Sequence, residues 1–344
     1  MKLKWGVIGS AGIARRRTIP EGIVRAGNAE LTAVYDINAG ANGEVAVEYG
    51  ARACASEAEL LGAEVDAVYI ATPAFEHFGQ IQRAARAGKH VLCEKPLSLT
   101  MEECGRAMEV CADHGVQLGT GLMMRFHAQH QAALGLLREG HLGVPVLGRA
   151  QLSCWYPPIP EAWRQDPEKG GGGSLMDMGG HCIDLLEMFF GRARGVLCIT
   201  GNLVQQYASE DTAVVLLDFE SGAKGMVDCL FNVPDASSLN RLELYGSLGS
   251  ILAEGTIGQG ESGNMVARLE SCGGAYAADQ VRGADGGILL NPPPVNMYRA
   301  EIEAFSQAIL DGTPPPVSGE DGRWSQVVLA ACYESARTGR RISF

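Results

Sequence analysis

At 344 residues the chain exceeds what one hydrophobic core generally supports, since single cores stop growing near about 250 to 300 residues, so two domains are expected. Hydrophobic residues make up 46% and charged residues 20%, a balance that excludes disordered and fibrous classes. A formal net charge of −12 opposes a nucleic-acid backbone or an anionic membrane surface as partner, because either would be repelled over most of the surface.

The first residues, MKLKWGVIGSAGIARRR, carry an apolar run too short and too rich in glycine for an export signal, with arginines where a small-residue cleavage site would be needed. No stretch approaches the roughly 18 to 20 apolar residues that cross a bilayer. The ten cysteines contain no C-x-x-C pair, so neither a zinc knuckle nor a redox motif is signalled. Most lie in apolar segments, as expected for a reduced, cytoplasmic protein.

In chain order, the apolar runs 3–9, 30–36, 65–71 and 89–94 are bounded by turn residues and predict strands, while 78–88 and 101–115 have helical periodicity. Such alternation predicts parallel strands joined by right-handed helical crossovers, the doubly wound α/β arrangement, with 116–122 as its closing strand. Beyond a helical stretch at 127–139, strand-like segments at 144–155, 195–206, 212–219, 223–232, 240–246 and 249–254 predict a large, mostly antiparallel sheet. The glycine-rich stretch 256–293 carries no period, and two helices, 296–311 and 319–338, follow, parted by Pro314, Pro315 and Pro316.

The opening strand runs into Gly9, Ser10, Ala11, Gly12, Ile13 and Ala14, close to G-x-G-x-x-G/A but with Ala11 at the middle glycine. Glycine there lets the backbone approach a pyrophosphate held at a helix N-terminus, and Gly12 next to it supplies the same freedom. Asp36 lies 22 residues beyond Ala14, where an acid accepts hydrogen bonds from the adenosine ribose hydroxyls and repels a 2′-phosphate, favouring NAD over NADP. Read alone, the same glycines make an ordinary strand-to-helix turn with Asp36 as a turn residue. Strand, loop, helix and acid together favour a dinucleotide. Arg15, Arg16 and Arg17 suit either phosphate contact or a solvated helix face.

Two further strands end in proline turns, Ala71-Thr72-Pro73 leading to His77, and Glu94-Lys95-Pro96. In open parallel sheets ligands bind beyond the carboxyl ends of the strands, so these turns face a cofactor. Pro96 holds Lys95 extended and fixes where its ammonium points. His77 reads equally as a helix cap. Further on, four glycines at 170–173 precede Asp177, His181 and Asp184, which share one face at i, i+4 and i+7 on an α-helix. The glycine excess predicts close approach of backbone to a ligand, or tight entry into a helix. An imidazole can accept a hydroxyl proton as hydride leaves the same carbon, with Asp177 binding substrate or orienting the ring. Other readings make Asp177 a cap and His181 a buried structural histidine, or the two a metal pair; no third ligand stands at a telling spacing, so no metal is expected. Arg125, Trp155, Tyr156, Trp163, Arg164 and Tyr298 suit stacking on a sugar ring and donation to its hydroxyls, or equally a core or interface.

The segments VIGSAGIA, ATP, EKP, MRFH and GGGSLMDMGGHCIDLL, followed by EDTAVVLLDFESG, LELYGSLGSI and YRAEIEAF, resemble in order and spacing the oxidoreductases related to glucose-fructose oxidoreductase and inositol dehydrogenase, the Gfo/Idh/MocA family. The resemblance covers nearly the whole chain. It implies an NAD-binding Rossmann domain at 1–121 and an α/β substrate-binding and oligomerisation domain with an open sheet at 122–344, assembled as a homodimer or homotetramer. It further implies catalysis by Lys95, Asp177 and His181, a cofactor held by Gly9, Ala11, Gly12, Ile13, Asp36, Ala71, Thr72, Pro73, His77, Glu94 and Lys95, and substrate held by Arg125, Tyr156, Trp163, Arg164, Asp177 and His181. Ala11, and Ala74 where asparagine is common, depart from the family pattern.

The expectation is therefore an NAD-dependent dehydrogenase of a secondary alcohol in a sugar, polyol or glycoside, with His181 as general acid/base and Lys95 on the same oxygen. Two alternatives stay open: a redox-neutral glycoside-modifying enzyme that retains its cofactor, and a dinucleotide-binding regulator without turnover.

Overall fold

The computed structural model describes residues 1–270, 276, 278 and 286–344; the remainder of the glycine-rich stretch lies outside the described residues. Packing divides the chain into two units, one comprising Met1–Met123, Glu161–Asp177 and Asn296–Ala330, the other Met124–Pro160, Met178–Val295 and Ala331–Phe344.

The first unit is built on a six-stranded parallel sheet of β1 (Leu3–Ile8), β2 (Ala29–Tyr35), β3 (Arg52–Ala53), β4 (Ala67–Ile70), β5 (His90–Glu94) and β6 (Leu118–Gly121), in the order β3-β2-β1-β4-β5-β6. The order reverses between β1 and β4, which opens a crevice at the carboxyl ends of those two strands. Central strands are buried on both faces, β4 at every residue, as parallel sheets covered by helices require. One face packs Ile8, Val68, Ile70 and Val91 against Ile81 and Leu97; the other packs Trp5, Val7, Val34 and Tyr69 against Ile19, Ile302 and Phe305. Trp5 explains why residues 296–330 belong to this unit: its ring lies 5.7 Å from Phe305 and its indole N–H donates to Ser306 Oγ at 3.2 Å, both on the helix Met297–Asp311. The first crossover helix, Ala14–Ile23, is wound as a π-helix and contains Pro20. The ring of a proline crowds the carbonyl four residues back, and the wider turn relieves that clash.

The second unit carries a nine-stranded sheet of β7 (Pro145–Ser153), β8 (Ala193–Gly201), β9 (Thr212–Phe219), β10 (Lys224–Leu230), β11 (Arg241–Gly246), β12 (Gly249–Glu254), β13 (Asn264–Leu269), β14 (Ile288–Leu289) and β15 (Ile342–Ser343), in the order β14-β13-β12-β11-β7-β10-β9-β8-β15. Every pairing is antiparallel except β7 with β10. The helix Gly180–Phe190 lies on one face. At Gly148 of β7 a Cβ would come within 2.4 Å of the Phe190 ring and 2.8 Å of Leu186, so glycine lets this helix sit directly on the sheet. On the opposite face, Leu197 pairs with Leu216 and Ile199 with Val214 across β8 and β9, and all four side chains are exposed.

Candidate active site

The glycine loop follows β1. Gly9 has φ +85°, and a Cβ there would lie 2.8 Å from the Ala71 carbonyl carbon, so the loop rests on the Thr-Pro turn and only glycine fits. Gly12 differs: nothing lies within 4 Å of its Cβ position, and it is exposed. The Ala11 N–H donates to Asp36 Oδ2 at 2.9 Å, and the Asn38 N–H to Asp36 Oδ1 at 2.9 Å; Asp36 thus links the loop to the end of β2. Among the described residues no side chain caps the helix Ala14–Ile23 at Ile13, and the Arg16 N–H donates to the Gly12 carbonyl at 3.4 Å. Of the three arginines, Arg15 pairs with Glu44 at 2.8 Å and the half-buried Arg17 with Glu21 at 2.6 Å.

The two proline turns stand at the ends of β4 and β5. Thr72 Oγ1 donates to Gln80 Oε1 at 2.5 Å. The Lys95–Pro96 peptide is cis. Glu94 braces the second turn: one carboxylate oxygen accepts the Lys95 N–H at 3.2 Å and the other the Tyr69 hydroxyl, which itself accepts from Thr18 Oγ1 at 3.0 Å. Burial raises the Glu94 pKa, against the opposing pull of Tyr69 and Lys95. Lys95 Nζ reaches Asp177 at two atoms, Oδ1 at 2.8 Å and the main-chain carbonyl at 2.5 Å. Arg164 Nε donates to the same Oδ1 at 3.1 Å, and its guanidinium lies over the Trp163 ring at 4.2 Å. Lys95, Trp163, Arg164 and Asp177 therefore form one cluster within the first unit, with two cations on one carboxylate. Both cations also act on the buried Glu94 carboxylate next to Lys95.

Two of the four glycines, Gly170 and Gly171, serve the chain itself. The helix Pro167–Gly170 is capped by Asp166 and ends at Gly171 with φ +78°. A Cβ on Gly170 would lie 3.1 Å from Arg164 Cα, and one on Gly171 3.2 Å from both Leu99 and Met176 side-chain atoms. Where a ligand was one expectation, the close approach at these two positions is to the backbone carrying Arg164 and to packed side chains. The expected single ridge of Asp177, His181 and Asp184 also needs correction: Leu175–Gly179 is a π-helix and the α-helix begins only at Gly180. An i, i+4, i+7 face requires unbroken 3.6-residue turns.

In the second unit, His181 is the second residue of the helix Gly180–Phe190 and is buried. Asp184, on the same helix, receives Arg125 through Nε at 3.0 Å to both oxygens and through Nη2 at 2.5 Å. Arg125, expected to donate to a sugar, forks onto this buried carboxylate. The Tyr156 ring lies 4.9 Å from Phe231 and 6.3 Å from Tyr207, and the Tyr207 hydroxyl donates to the Tyr156 carbonyl at 2.9 Å. The loop bearing Tyr207 is held by Asp211, which accepts the N–H groups of Leu203, Val204 and Gln205 at 3.0, 2.8 and 2.8 Å. Burial pushes the Asp211 pKa up, but these donors outweigh it and hold it down to about 2. Asp211 and Tyr207 were not singled out from sequence; the acid directly before β9 was the available signal. Tyr298 is buried and Trp155 exposed. Among the described residues no group of three or more His, Cys, Asp or Glu side chains is arranged to hold a metal, and no helix is long and apolar enough to cross a membrane.

Residues 3–122 match the family described as oxidoreductase family, NAD-binding Rossmann fold, and residues 130–252 match the GFO/IDH/MocA C-terminal domain. The chain is 31% identical to a 1,5-anhydro-D-fructose reductase of Ensifer adhaerens over 98% of its own length and 97% of the relative's. It is 30% identical to a D-xylose 1-dehydrogenase (NADP(+)) of Haloferax volcanii over 99% of both. In structure it is similar to an aldose-aldose oxidoreductase from Caulobacter crescentus complexed with glycerol, with a TM-score of 0.88, 27% identity and full coverage of both chains. With likeness running end to end, the chain belongs to the Gfo/Idh/MocA family of NAD(P)-dependent oxidoreductases, enzymes that act on the CH–OH groups of sugars and polyols.

Proposed function

We propose that the protein is an NAD-dependent dehydrogenase of a secondary alcohol in a sugar, polyol or glycoside. The observation that carries this reading is the ammonium of Lys95, seated on Asp177 with Arg164 alongside at the end of a strand of the dinucleotide-type sheet. Gly9, Ala11, Gly12, Ile13 and Asp36, with the turn Ala71-Thr72-Pro73, would hold the cofactor, whose nicotinamide supplies the hydride acceptor when bound. The open Cβ position at Gly12 fits a pyrophosphate against the loop. His181 accepts the proton of the substrate hydroxyl while the C–H hydride departs, and returns it in the reverse direction. Lys95 donates to the same oxygen and Asp177 holds Lys95 in place. Trp163, Arg164 and Tyr156 offer ring faces and donors to the substrate.

Asp36 supports NAD over NADP, because its carboxylate would face a 2′-phosphate. In this reading residues 1–121 form the NAD-binding domain and 122–344 the substrate-binding and oligomerisation domain, with Glu161–Asp177 and Asn296–Ala330 of the latter packing into the first unit. The exposed Leu197, Ile199, Val214 and Leu216 support a homodimer or homotetramer assembled through the sheet. Nine free cysteines among the described residues support a reducing, cytoplasmic setting.

A screen of monosaccharides, inositols and glycosides, following NADH and NADPH absorbance, tests the reading. It expects net NADH formation with at least one of them. Product without net NADH would favour a redox-neutral cycle with retained cofactor, and a preference of tenfold or more for NADP, worth ~1.4 kcal/mol, would overturn the role given to Asp36.

A further inference from the structure

We propose that His77 is a positioning residue: it ties the Thr-Pro turn to the Lys-Pro turn, and so sets both the seat of the cofactor and the aim of Lys95 without touching either. The proposal rests on the dehydrogenase reading and adds a residue to its machinery.

His77 lies in the first turns of the helix Ala74–Arg86 and is only 1% exposed. Its Nε2 is 2.9 Å from the Thr72 carbonyl and its Nδ1 2.8 Å from the Pro96 carbonyl. Both ring nitrogens are thereby committed to main chain, one on each turn, and the ring has none left for a ligand. The placement matters because of where the sheet stops. The ladder joining β4 to β5 ends at Ile70 opposite Cys93, one residue before the first turn and one before Glu94. Among the described residues, the imidazole spans the two turns beyond that point.

Two more features agree with a bracing role. Lys95 is flanked on one side by Glu94, which takes the Lys95 N–H, and on the other by Pro96, whose carbonyl is held by His77; the ammonium thus projects from a turn anchored on both sides. Both partners of His77 are acceptors, so a neutral ring donates to one of them and only the imidazolium donates to both. Burial outweighs the two carbonyls and lowers the His77 pKa, with Arg164 and Lys95 acting in the same direction; the neutral ring donates to one carbonyl at a time, a contact that a nonpolar ring of similar size cannot reproduce.

The test uses the full-length enzyme with His77→Phe, which keeps a ring without a donor, and His77→Gln, whose terminal amide carries two N–H donors. NADH affinity by fluorescence, kcat on the substrate found above, and Tm are read for each. For His77→Phe we expect about tenfold weaker NADH binding and a kcat lowered about tenfold or more, because small misplacements of reacting groups are costly. His77→Gln should recover both to within about threefold of wild type. Wild-type affinity and kcat in folded His77→Phe, with only Tm reduced, would overturn the proposal. Should His77→Phe fail to fold, His77→Asn, whose shorter amide spans only one carbonyl, must show the same losses in weaker form, and wild-type values there would equally overturn it. Failure of wild type to bind any nicotinamide dinucleotide would strike the underlying dehydrogenase reading instead.

Discussion

Two glycine-rich segments of this chain look alike in sequence and differ in physical purpose. In the loop after β1, Gly9 gives way to the protein's own Ala71 while the Cβ position of Gly12 is empty for 4 Å around. In the run ahead of Asp177, Gly170 and Gly171 are both crowded by the protein itself, by Arg164, Leu99 and Met176. The first segment therefore pairs a glycine the architecture requires with one whose Cβ would meet no described protein atom; at these two positions the second spends them on folding the chain tightly enough to bring Arg164 and Asp177 to Lys95. Counting glycines does not separate the cases. What a Cβ would meet does.

Substitution by alanine breaks or sharpens this contrast. Gly9→Ala should be the most damaging, since it adds a left-handed-region penalty to a clash with immovable backbone at 2.8 Å; we expect a loss of about 3 kcal/mol or more in a denaturant titration. Gly171→Ala meets only side-chain ends at 3.2 Å, which can shift, so about 1 to 2 kcal/mol is expected, mostly from its φ of +78°. Gly12→Ala should leave stability within about 0.5 kcal/mol, yet weaken NADH binding about tenfold, roughly 1.4 kcal/mol. Unchanged NADH affinity in Gly12→Ala, or a stability loss rivalling that of Gly9→Ala, would erase the distinction between the two segments.

Much of the frame was legible from residue patterns. The strands β1, β2, β4, β5 and β6 announce themselves as short apolar runs between turn residues, and their alternation with helices implies the parallel sheet that forms. The antiparallel strands from β7 to β12 were legible through alternation and hairpin turns. Strands β3, β14 and β15 hold two residues each, too few to carry a period, and β13 sits in a glycine-rich stretch whose local pattern is weak. The Leu175–Gly179 π-turn escaped because a motif spaced for an α-helix does not report the winding between its members. Partners distant in sequence escaped most often. Arg125 and Asp184 are each polar residues with several plausible uses, and only their bidentate contact reveals that they serve one another. His77 is similar: nothing in A-F-E-H marks a residue whose acceptors lie at Thr72 and, 19 positions on, at Pro96.

The central claim is that Lys95 and His181 act on a single carbinol oxygen beside a nicotinamide ring. Steady-state kcat of Lys95→Met, His181→Ala and the double variant, each with saturating NAD and the substrate from the screen, addresses it most directly. Groups working as a unit are grossly non-additive, so each single change should lower kcat by about 10²- to 10⁴-fold while the double variant falls little below the worse single. An unchanged kcat in either single variant, or losses that simply multiply in the double, would contradict the shared oxygen.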